Sequence, residues 1–305
     1  MSTLRSSTAP GTKIGRIGGS QVEASTKIST RRLGERIGAE VLIGDKAALL
    51  DDSTAREVLD ALEEHTVLVF RELHLDDAAQ VAFSRKLGEV IILGNRTPGP
   101  GNPYPEIFKV TLNKNQNPVA DYLKGTFFWH IDGASDEIPT KASLLTARQI
   151  ADGSGDTEFA STYAAYQELP DADKQRFNKV RVVHSLEASQ RLVRPNPSPD
   201  EVKSWRARST REHPLVWTHR SGRKSLVLGA TASHVVGMTE DEGHALLNGL
   251  LAWATRPDFV YRHQWRVGDL VIWDNRGALH RALPYDFNSP RLMHRTTLLG
   301  DEPIN

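Results

Sequence analysis

The chain has 305 residues, 39% of them hydrophobic and 25% charged, and its 38 basic residues balance its 38 acidic ones. This balance gives no basic surface for nucleic acid or for an anionic membrane. Cysteine is absent, which excludes disulfides and cysteine-ligated metal clusters, so any metal must be held by histidine and carboxylate. No apolar run approaches the roughly 18 residues that span a membrane. With no apolar signal segment at the N-terminus either, we expect a cytoplasmic protein.

The N-terminal segment differs in composition from the rest of the chain. Residues 1–27 are mostly small and polar and show no periodicity, which predicts a flexible tail. No internal repeat or linker divides residues 28–305, so we expect one domain there. The sequence leaves open whether this domain forms a homo-oligomer.

Two helices and a strand open the predicted domain. Residues 53–65 carry an apolar stripe at helical spacing, and Ser53 and Thr54 are suitable capping residues for that helix. Residues 66–72 form a short apolar run typical of a buried strand. A second helix is predicted over 75–90.

The remainder of the chain is rich in strand patterns. Residues 94–105 contain so much glycine and proline that they must form a loop, long enough to cover a site. Two helices are predicted, at 161–169 and 241–255. The predicted strands are EIFKVTL, KASLLTARQI, VRVVHSL, HPLVWTH, KSLVLG, FVYRHQW, DLVIWDN and RLMHRTTLLG. Many short strands without strand–helix alternation favour a mainly β fold, a sandwich or jelly roll with flanking helices.

The stretch FFWHIDGAS places a histidine and an aspartate two residues apart behind three aromatic residues. In an extended chain, His130 and Asp132 point to the same side, so an imidazole and a carboxylate can converge. Alone, this pair fits a metal site, a buried ion pair or a chance occurrence. His280, just beyond the apolar strand LVIW, offers a third ligand. Two histidines and one carboxylate with open positions are typical of non-haem Fe(II) oxygenases, although zinc accepts the same set.

Two arginines follow on a later strand. Alternation places Arg291 and Arg295 on one face and His294 on the other. Arginine is rarely buried unless it is paired, and no carboxylate is close in sequence, which indicates anions that arrive from outside. Arg291, eleven residues after His280, could bind the distal carboxylate of a keto acid that serves as co-reductant for the iron.

Four motifs then resemble a known family in order and spacing. They are FFWHIDG, GSGDTEFASTYAAYQELP, VIWDNRGALHRA and PRLMHRTTLLGD. Together they resemble the taurine dioxygenase family of Fe(II)/2-oxoglutarate oxygenases, which includes the 2,4-dichlorophenoxyacetate dioxygenases. The resemblance extends from about residue 30 to the C-terminus, and it implies a double-stranded β-helix, the jelly-roll fold of the family.

The resemblance also implies the roles of the site residues. It makes His130, Asp132 and His280 the iron ligands. It assigns Thr157 and Arg291 to 2-oxoglutarate, with the arginine on the far carboxylate. Fe(II), 2-oxoglutarate and O₂ are then required, with succinate and CO₂ as products beside the oxidised substrate.

The substrate contacts depart from the taurine pattern. Arg295 matches the arginine that grips the anionic head of the prime substrate. Thr126, Leu93 and Arg96 stand where the taurine enzymes have other polar residues. The apolar run VIIL, together with Phe127 and Phe128, predicts a small organic acid that is larger or more apolar than taurine, with a carboxylate, sulfonate or sulfate ester head.

Several alternatives remain open at this stage. Thr157 could cap a helix, and Arg295 could pair with a carboxylate in the core. The protein could be a metal or ligand sensor on the same fold, a zinc hydrolase, or an oxygenase for a larger biosynthetic metabolite. Activity that depends on both Fe(II) and 2-oxoglutarate would separate the oxygenases from the others.

Overall fold

The structure is a computed structural model that describes residues 27–93, 103–117, 120–151 and 153–305. The predicted tail therefore lies outside the described residues, apart from Lys27, and so does most of the predicted loop at 94–105. Within the described ranges, strand and helix occur in similar amounts. The fold class is mixed, so the predicted strands are accompanied by more helix than a mainly β chain with flanking helices implies. No helix in these ranges is both long and apolar enough to cross a membrane.

The elements are numbered in chain order over the described residues. The strands are β1 (Ile28–Arg32), β2 (Ala39–Ile43), β3 (Val67–Phe70), β4 (Val90–Ile91), β5 (Phe108–Val110), β6 (Ala142–Gln149), β7 (Thr157–Ser161), β8 (Arg181–Ser185), β9 (Thr210–Pro214), β10 (Val216–Thr218), β11 (Lys224–Leu226), β12 (Ala232–Val235), β13 (Val260–His263), β14 (Leu270–Asp274), β15 (Ala278–Ala282) and β16 (Leu292–Leu298). The α-helices are α1 (Asp52–His65), α2 (Asp77–Leu87), α3 (Thr162–Gln167), α4 (Asp171–Phe177), α5 (Leu186–Val193), α6 (Pro199–Arg206) and α7 (Glu240–Ala254).

The helix starts differ in detail from the predicted caps. Ser53 and Thr54 lie inside α1, whose N-cap is Asp51, so their predicted capping role was wrong. The second helix ends at Gly88 as its sequence indicates, and Asp76 caps its start by accepting from the backbone N–H of Ala79. The three helices α4, α5 and α6 were not predicted.

The largest sheet has eight strands, in the order β1-β2-β3-β14-β6-β16-β4, with β5 also paired to β16. Its central strands are apolar on both faces because both faces are covered. In β3, Leu68 and Phe70 pack against α1 and α2, whereas Val67 and Val69 point to the opposite side. That opposite side packs against Phe159 of the small sheet, and this second interface supports the functional site.

The small sheet contains β13, β7 and β15 in that order. Beside it, an antiparallel bridge joins His130 to His280, with both backbone hydrogen bonds formed, at 3.1 and 2.9 Å. This bridge brings two residues that are 150 positions apart onto neighbouring backbone segments. A further apolar core, formed mainly by α3, α7 and strands β8, β10 and β11, lies on the other side of β15 and fixes its position.

Candidate active site

His130, Asp132 and His280 form one cluster, in which a ligand atom from each residue lies within 4.8 Å of the other two. The Nε2 atoms of His130 and His280 are each 3.8 Å from a carboxylate oxygen of Asp132. These distances are too long for hydrogen bonds, so the lone pairs face a shared space. The sequence predicted this convergence, and the arrangement fits an ion held by two imidazoles and one carboxylate.

The two imidazoles are in the form that binds a metal. Nδ1 of His130 is 2.8 Å from the carbonyl oxygen of Phe128 and donates to it, which leaves the Nε2 lone pair directed at the cluster. Burial lowers the pKa of His130, and burial together with the neighbouring His130 lowers the pKa of His280 well below its usual value. Both rings are therefore neutral at physiological pH, as metal coordination requires.

The carboxylate is held by two donors on one oxygen. Arg295 Nη1 and Ser143 Oγ each donate to Asp132 Oδ2 at 3.0 Å. Burial alone would raise the pKa of Asp132, but Arg295 and the two histidines outweigh it, and the pKa lies below its usual range. Asp132 is therefore ionised at physiological pH. The carboxylate that the sequence left open as a core partner for Arg295 is Asp132 itself.

A side-chain relay supports Ser143 from behind. Asn275 donates through Nδ2 to Ser143 Oγ at 3.2 Å and to Thr140 Oγ1 at 2.9 Å. Trp273 Nε1 in turn donates to Asn275 Oδ1 at 2.8 Å. These buried residues fix the rotamer of Asp132. Sequence reasoning did not identify Ser143, although a serine at an inward position of an apolar strand is a recognisable signal.

Arg291 is 97% buried, yet among the described residues it forms no ion pair with a carboxylate. Its Nη2 donates to the carbonyl oxygen of Gly155 at 3.3 Å. The nearest acidic side chain that affects it, Asp156, forms its own ion pair with Arg262 at 2.8 Å. Burial lowers the pKa of Arg291, but a guanidinium remains charged. A buried cation without a carboxylate partner among the described residues fits an external carboxylate.

Thr157 is the first residue of β7 and lies in register with Ala282, two residues beyond His280. Its buried Oγ1 accepts a hydrogen bond of 3.0 Å from Trp265 Nε1. The helix-capping alternative was wrong, because the cap of the following helix is Ser161. With one lone pair occupied by the indole, the hydroxyl proton of Thr157 is free to point at a ligand.

The residues predicted to contact the substrate differ in their hydrogen bonds and in their exposure to solvent. The buried Nε–H of Arg295 has no hydrogen-bond partner within the described part of the chain. The hydroxyl of Thr126 donates to the carbonyl of Leu123 at 2.7 Å within the short 3-10 helix Tyr122–Phe127, so it is used locally. Phe128 is 37% exposed, and Leu93 is half-buried at the edge of a described range. Arg96 lies outside the described residues.

An aromatic group that was not predicted surrounds Arg291. The guanidinium lies over the ring of Tyr285, 4.7 Å from its centroid. Phe127 meets Tyr285 edge to face at 5.9 Å and stacks on Phe287 at 6.0 Å. The segment that carries Tyr285 and Phe287 has no periodicity in the sequence, so only the structure reveals its contact with Arg291.

His294 lies on the opposite face of β16 from the two arginines. Its Nδ1 is 2.7 Å from Asp77 Oδ1 of α2. His294 thus packs against α2, on the face of the strand that alternation predicts for it.

Comparison with known proteins agrees with this geometry. Residues 29–297 match the family described as taurine catabolism dioxygenase TauD, TfdA family. An alpha-ketoglutarate-dependent 2,4-dichlorophenoxyacetate dioxygenase of Burkholderia sp. (strain RASC) is 36% identical over 82% of this chain and 87% of its own. An alpha-ketoglutarate-dependent sulfate ester dioxygenase of Pseudomonas putida is 33% identical over 88% of both chains.

A solved structure is also similar to this chain over most of its length. The crystal structure of AAD-2 in complex with Mn(II) and N-oxalylglycine superimposes with a TM-score of 0.78 at 34% identity, covering 91% of this chain and 99% of that one. The family uses Fe(II), 2-oxoglutarate and O₂, and the His-Asp-His cluster suits the metal. On the family match and this degree of identity, the chain belongs to the TauD/TfdA family and is a 2-oxoglutarate-dependent dioxygenase.

Proposed function

We propose that the enzyme oxidises a C–H bond of a small organic acid with an anionic head and an apolar body, and releases succinate and CO₂. The observation that carries this proposal is the pair of arginines on one face of the chain through β16. Among the described residues, Arg291 is buried without a carboxylate partner, and the Nε–H of Arg295, beside Asp132, has no hydrogen-bond partner. Two anion-binding groups four residues apart, one of them in contact with Asp132, suit a keto acid and an acidic substrate bound together.

The metal would be held by His130, Asp132 and His280. When bound, Fe(II) supplies the activation of O₂ that is coupled to oxidative decarboxylation of 2-oxoglutarate. The protein holds the ligands in place: the carbonyl of Phe128 fixes the tautomer of His130, and Ser143 fixes the carboxylate of Asp132. Because these hydrogen bonds already hold the side chains of His130 and Asp132, those side chains lose less conformational entropy when the metal binds.

The far carboxylate of 2-oxoglutarate would pair with Arg291, and Thr157 would donate its hydroxyl proton to the same co-substrate. Burial makes the arginine contact strong, because a desolvated charge pair loses on the order of 2–5 kcal/mol when one partner is removed. Trp265 holds the oxygen of Thr157, which leaves the hydroxyl proton for the ligand. These two groups orient the co-substrate and exclude water from its charged end.

The anionic head of the prime substrate would bind at Arg295. Arg291 and Arg295 are four residues apart, so their Cα atoms are separated by roughly 13 Å along the strand, which is enough for two ligands to lie side by side. Phe128, Leu93 and the carbon atoms of Thr126 would line the apolar body. The related enzymes named for 2,4-dichlorophenoxyacetate and for sulfate esters support an acidic substrate, since both names describe an anion on a carbon skeleton.

The site also bears on the fold. We infer that the eight-stranded sheet and the β13-β7-β15 sheet are the two facing sheets of a double-stranded β-helix. The support is their packing through Val271, Trp273, Met293 and Phe159 into one core, with the His-Asp-His cluster at its edge. This arrangement suits the match to a solved structure over 91% of the chain.

The test is a substrate panel with anaerobically loaded Fe(II) enzyme, 2-oxoglutarate and O₂. Alkyl sulfates, alkyl sulfonates, aryloxy acids and taurine are compared by O₂ consumption and by succinate release. We expect one of the acids with an apolar body to give succinate in proportion to oxidised product, and taurine to be poor. Efficient use of a neutral substrate would contradict the role of Arg295.

A further inference from the structure

The guanidinium of Arg291 is held from two sides. On one side lies Gly155, whose carbonyl accepts its Nη2 hydrogen bond. A Cβ atom on that glycine would lie 3.0 Å from Arg291 Nε and 3.2 Å from Cδ. On the other side the ring of Tyr285 faces the guanidinium at 4.7 Å. The arginine thus fills a slot between a backbone without a side chain and an aromatic face.

Tyr285 is itself fixed by aromatic contacts. Phe127, at the end of the 3-10 helix before His130, meets it edge to face, and Phe287 stacks on the far side of Phe127. Lys124 lies 5.1 Å above the exposed ring of Phe287, at the outer end of this stack. Tyr285 therefore connects the segment that leads into the metal cluster with the arginine that faces the co-substrate.

A buried arginine without a carboxylate has little else to hold it in one rotamer. Arginine has several rotatable bonds, so fixing its side chain in one rotamer costs conformational entropy. If no protein contact fixes it beforehand, this cost reduces the binding free energy of the ligand. An aromatic face attracts the guanidinium, most strongly where water is excluded, and so holds the plane of its N–H groups before the ligand arrives.

We propose that Tyr285 is a positioning residue that preorganises Arg291 to bind the far carboxylate of 2-oxoglutarate. This inference rests on the proposed role of Arg291. Tyr285 contributes through the face of its ring and through its hydroxyl oxygen, which accepts a hydrogen bond from Arg291, and it has no part in the chemistry at the metal. Its loss should therefore weaken the co-substrate and leave metal binding intact.

The experiment is anaerobic calorimetric titration of the Fe(II)-loaded enzyme with two keto acids. One is 2-oxoglutarate, and the other is 2-oxopentanoate, which has the same carbon chain but ends in a methyl group. Tyr285→Leu should weaken 2-oxoglutarate binding roughly tenfold, the upper part of the range for a desolvated cation–π contact. Tyr285→Phe, which keeps the ring but loses the hydroxyl that accepts from Arg291, should weaken 2-oxoglutarate binding less than Tyr285→Leu does. All variants should bind Fe(II) and 2-oxopentanoate as the parent does.

Two further variants distinguish the positioning role of Tyr285 from the proposed role of Arg291 in binding 2-oxoglutarate. Arg291→Ala should weaken 2-oxoglutarate roughly thirty-fold or more. If it does not, the proposed co-substrate site is wrong. If Arg291→Ala weakens binding but Tyr285→Leu does not, or weakens both keto acids alike, the positioning role is wrong. Phe287→Leu, which does not touch Arg291, is the matched control and should resemble the parent.

The measurement remains decisive if Tyr285→Leu does not fold, as judged by its thermal unfolding. Phe127→Leu then removes the ring that supports Tyr285. Selective weakening of 2-oxoglutarate in Phe127→Leu supports the inference, and parent-like affinity for both keto acids overturns it.

Discussion

Arg295 donates to the same oxygen of Asp132 that accepts from Ser143, each at 3.0 Å. The arginine proposed to grip the substrate is therefore paired with a carboxylate proposed to bind the metal. Arg295 also lies 5.2 Å from the ring centroid of Phe108, and its side chain is 18% exposed. Charge at the substrate subsite and charge at the metal are thus linked through one hydrogen bond.

Arg295→Ala should raise the KM of an acidic substrate at least tenfold, because a partly desolvated anion loses its charged partner. The 2-oxoglutarate affinity should change less than threefold. Fe(II) should bind at least as tightly as in the parent, because a cation that competes for Asp132 has been removed. Steady-state kinetics with the best acid of the panel and anaerobic metal titration measure these quantities. Loss of 2-oxoglutarate affinity with an unchanged substrate KM would reverse the assignments of Arg291 and Arg295.

Gly155→Ala should weaken 2-oxoglutarate binding roughly tenfold, or about 1.4 kcal/mol, because the new methyl group displaces Arg291. Gly153→Ala is the matched control. Both glycines have positive φ, 80° and 62°, so both substitutions strain the backbone, but a Cβ at Gly153 meets no atom within 4 Å. Anaerobic titration with 2-oxoglutarate gives both affinities. Equal losses of affinity in the two variants would mean that backbone strain, and not contact with Arg291, weakens 2-oxoglutarate binding in Gly155→Ala.

Part of the site could be predicted because the signals are local. The spacing of His130 and Asp132 placed them on one side, and alternation separated Arg291 and Arg295 from His294. The convergence with His280 depends on a backbone bridge between distant segments. The sequence offers His280 as a candidate third ligand and the motif resemblance supports it, but no local periodicity encodes a contact over 150 positions.

Helix α6, Ser143 and Tyr285 were not predicted from the sequence, and the physical reasons are of two kinds. Helix α6 has a readable start, since Ser198 and Glu201 form a capping box with a proline at the first position, but its exposed surface gives no apolar stripe. Ser143 reaches Asp132 because β6 pairs with β14 and places it opposite Trp273, which is tertiary information. Tyr285 lies in an irregular segment, so nothing local indicates its contact with Arg291.

Acid should destabilise the protein through a buried histidine. His184 is fully buried, with Nδ1 2.9 Å from Thr231 Oγ1, and burial lowers its pKa to about 3. The unfolded chain takes up this proton near pH 6.5 and the folded protein does not. The contribution of this group to stability is therefore complete above pH 6.5 and falls between pH 6.5 and 3, by about 1.4 kcal/mol per pH unit.

His184→Asn should remove that part of the pH dependence. Between pH 7 and pH 5, the free energy of unfolding of the variant should fall by about 2 kcal/mol less than that of the parent. Chemical denaturation at the two pH values measures the difference, whatever the absolute stability of the variant at pH 7. The same fall in both proteins would show that His184 is protonated in the folded state.

The central claim is that one Fe(II) binds at His130, Asp132 and His280, and anaerobic Fe(II) titration tests it most directly. The parent should bind one ion per chain. His280→Ala should weaken binding at least a hundredfold, since even residues that only support metal ligands cost 10–100-fold. His294→Ala, which removes a buried histidine on the other face, should bind like the parent. If His280→Ala bound Fe(II) as tightly as His294→Ala, the metal site would lie elsewhere.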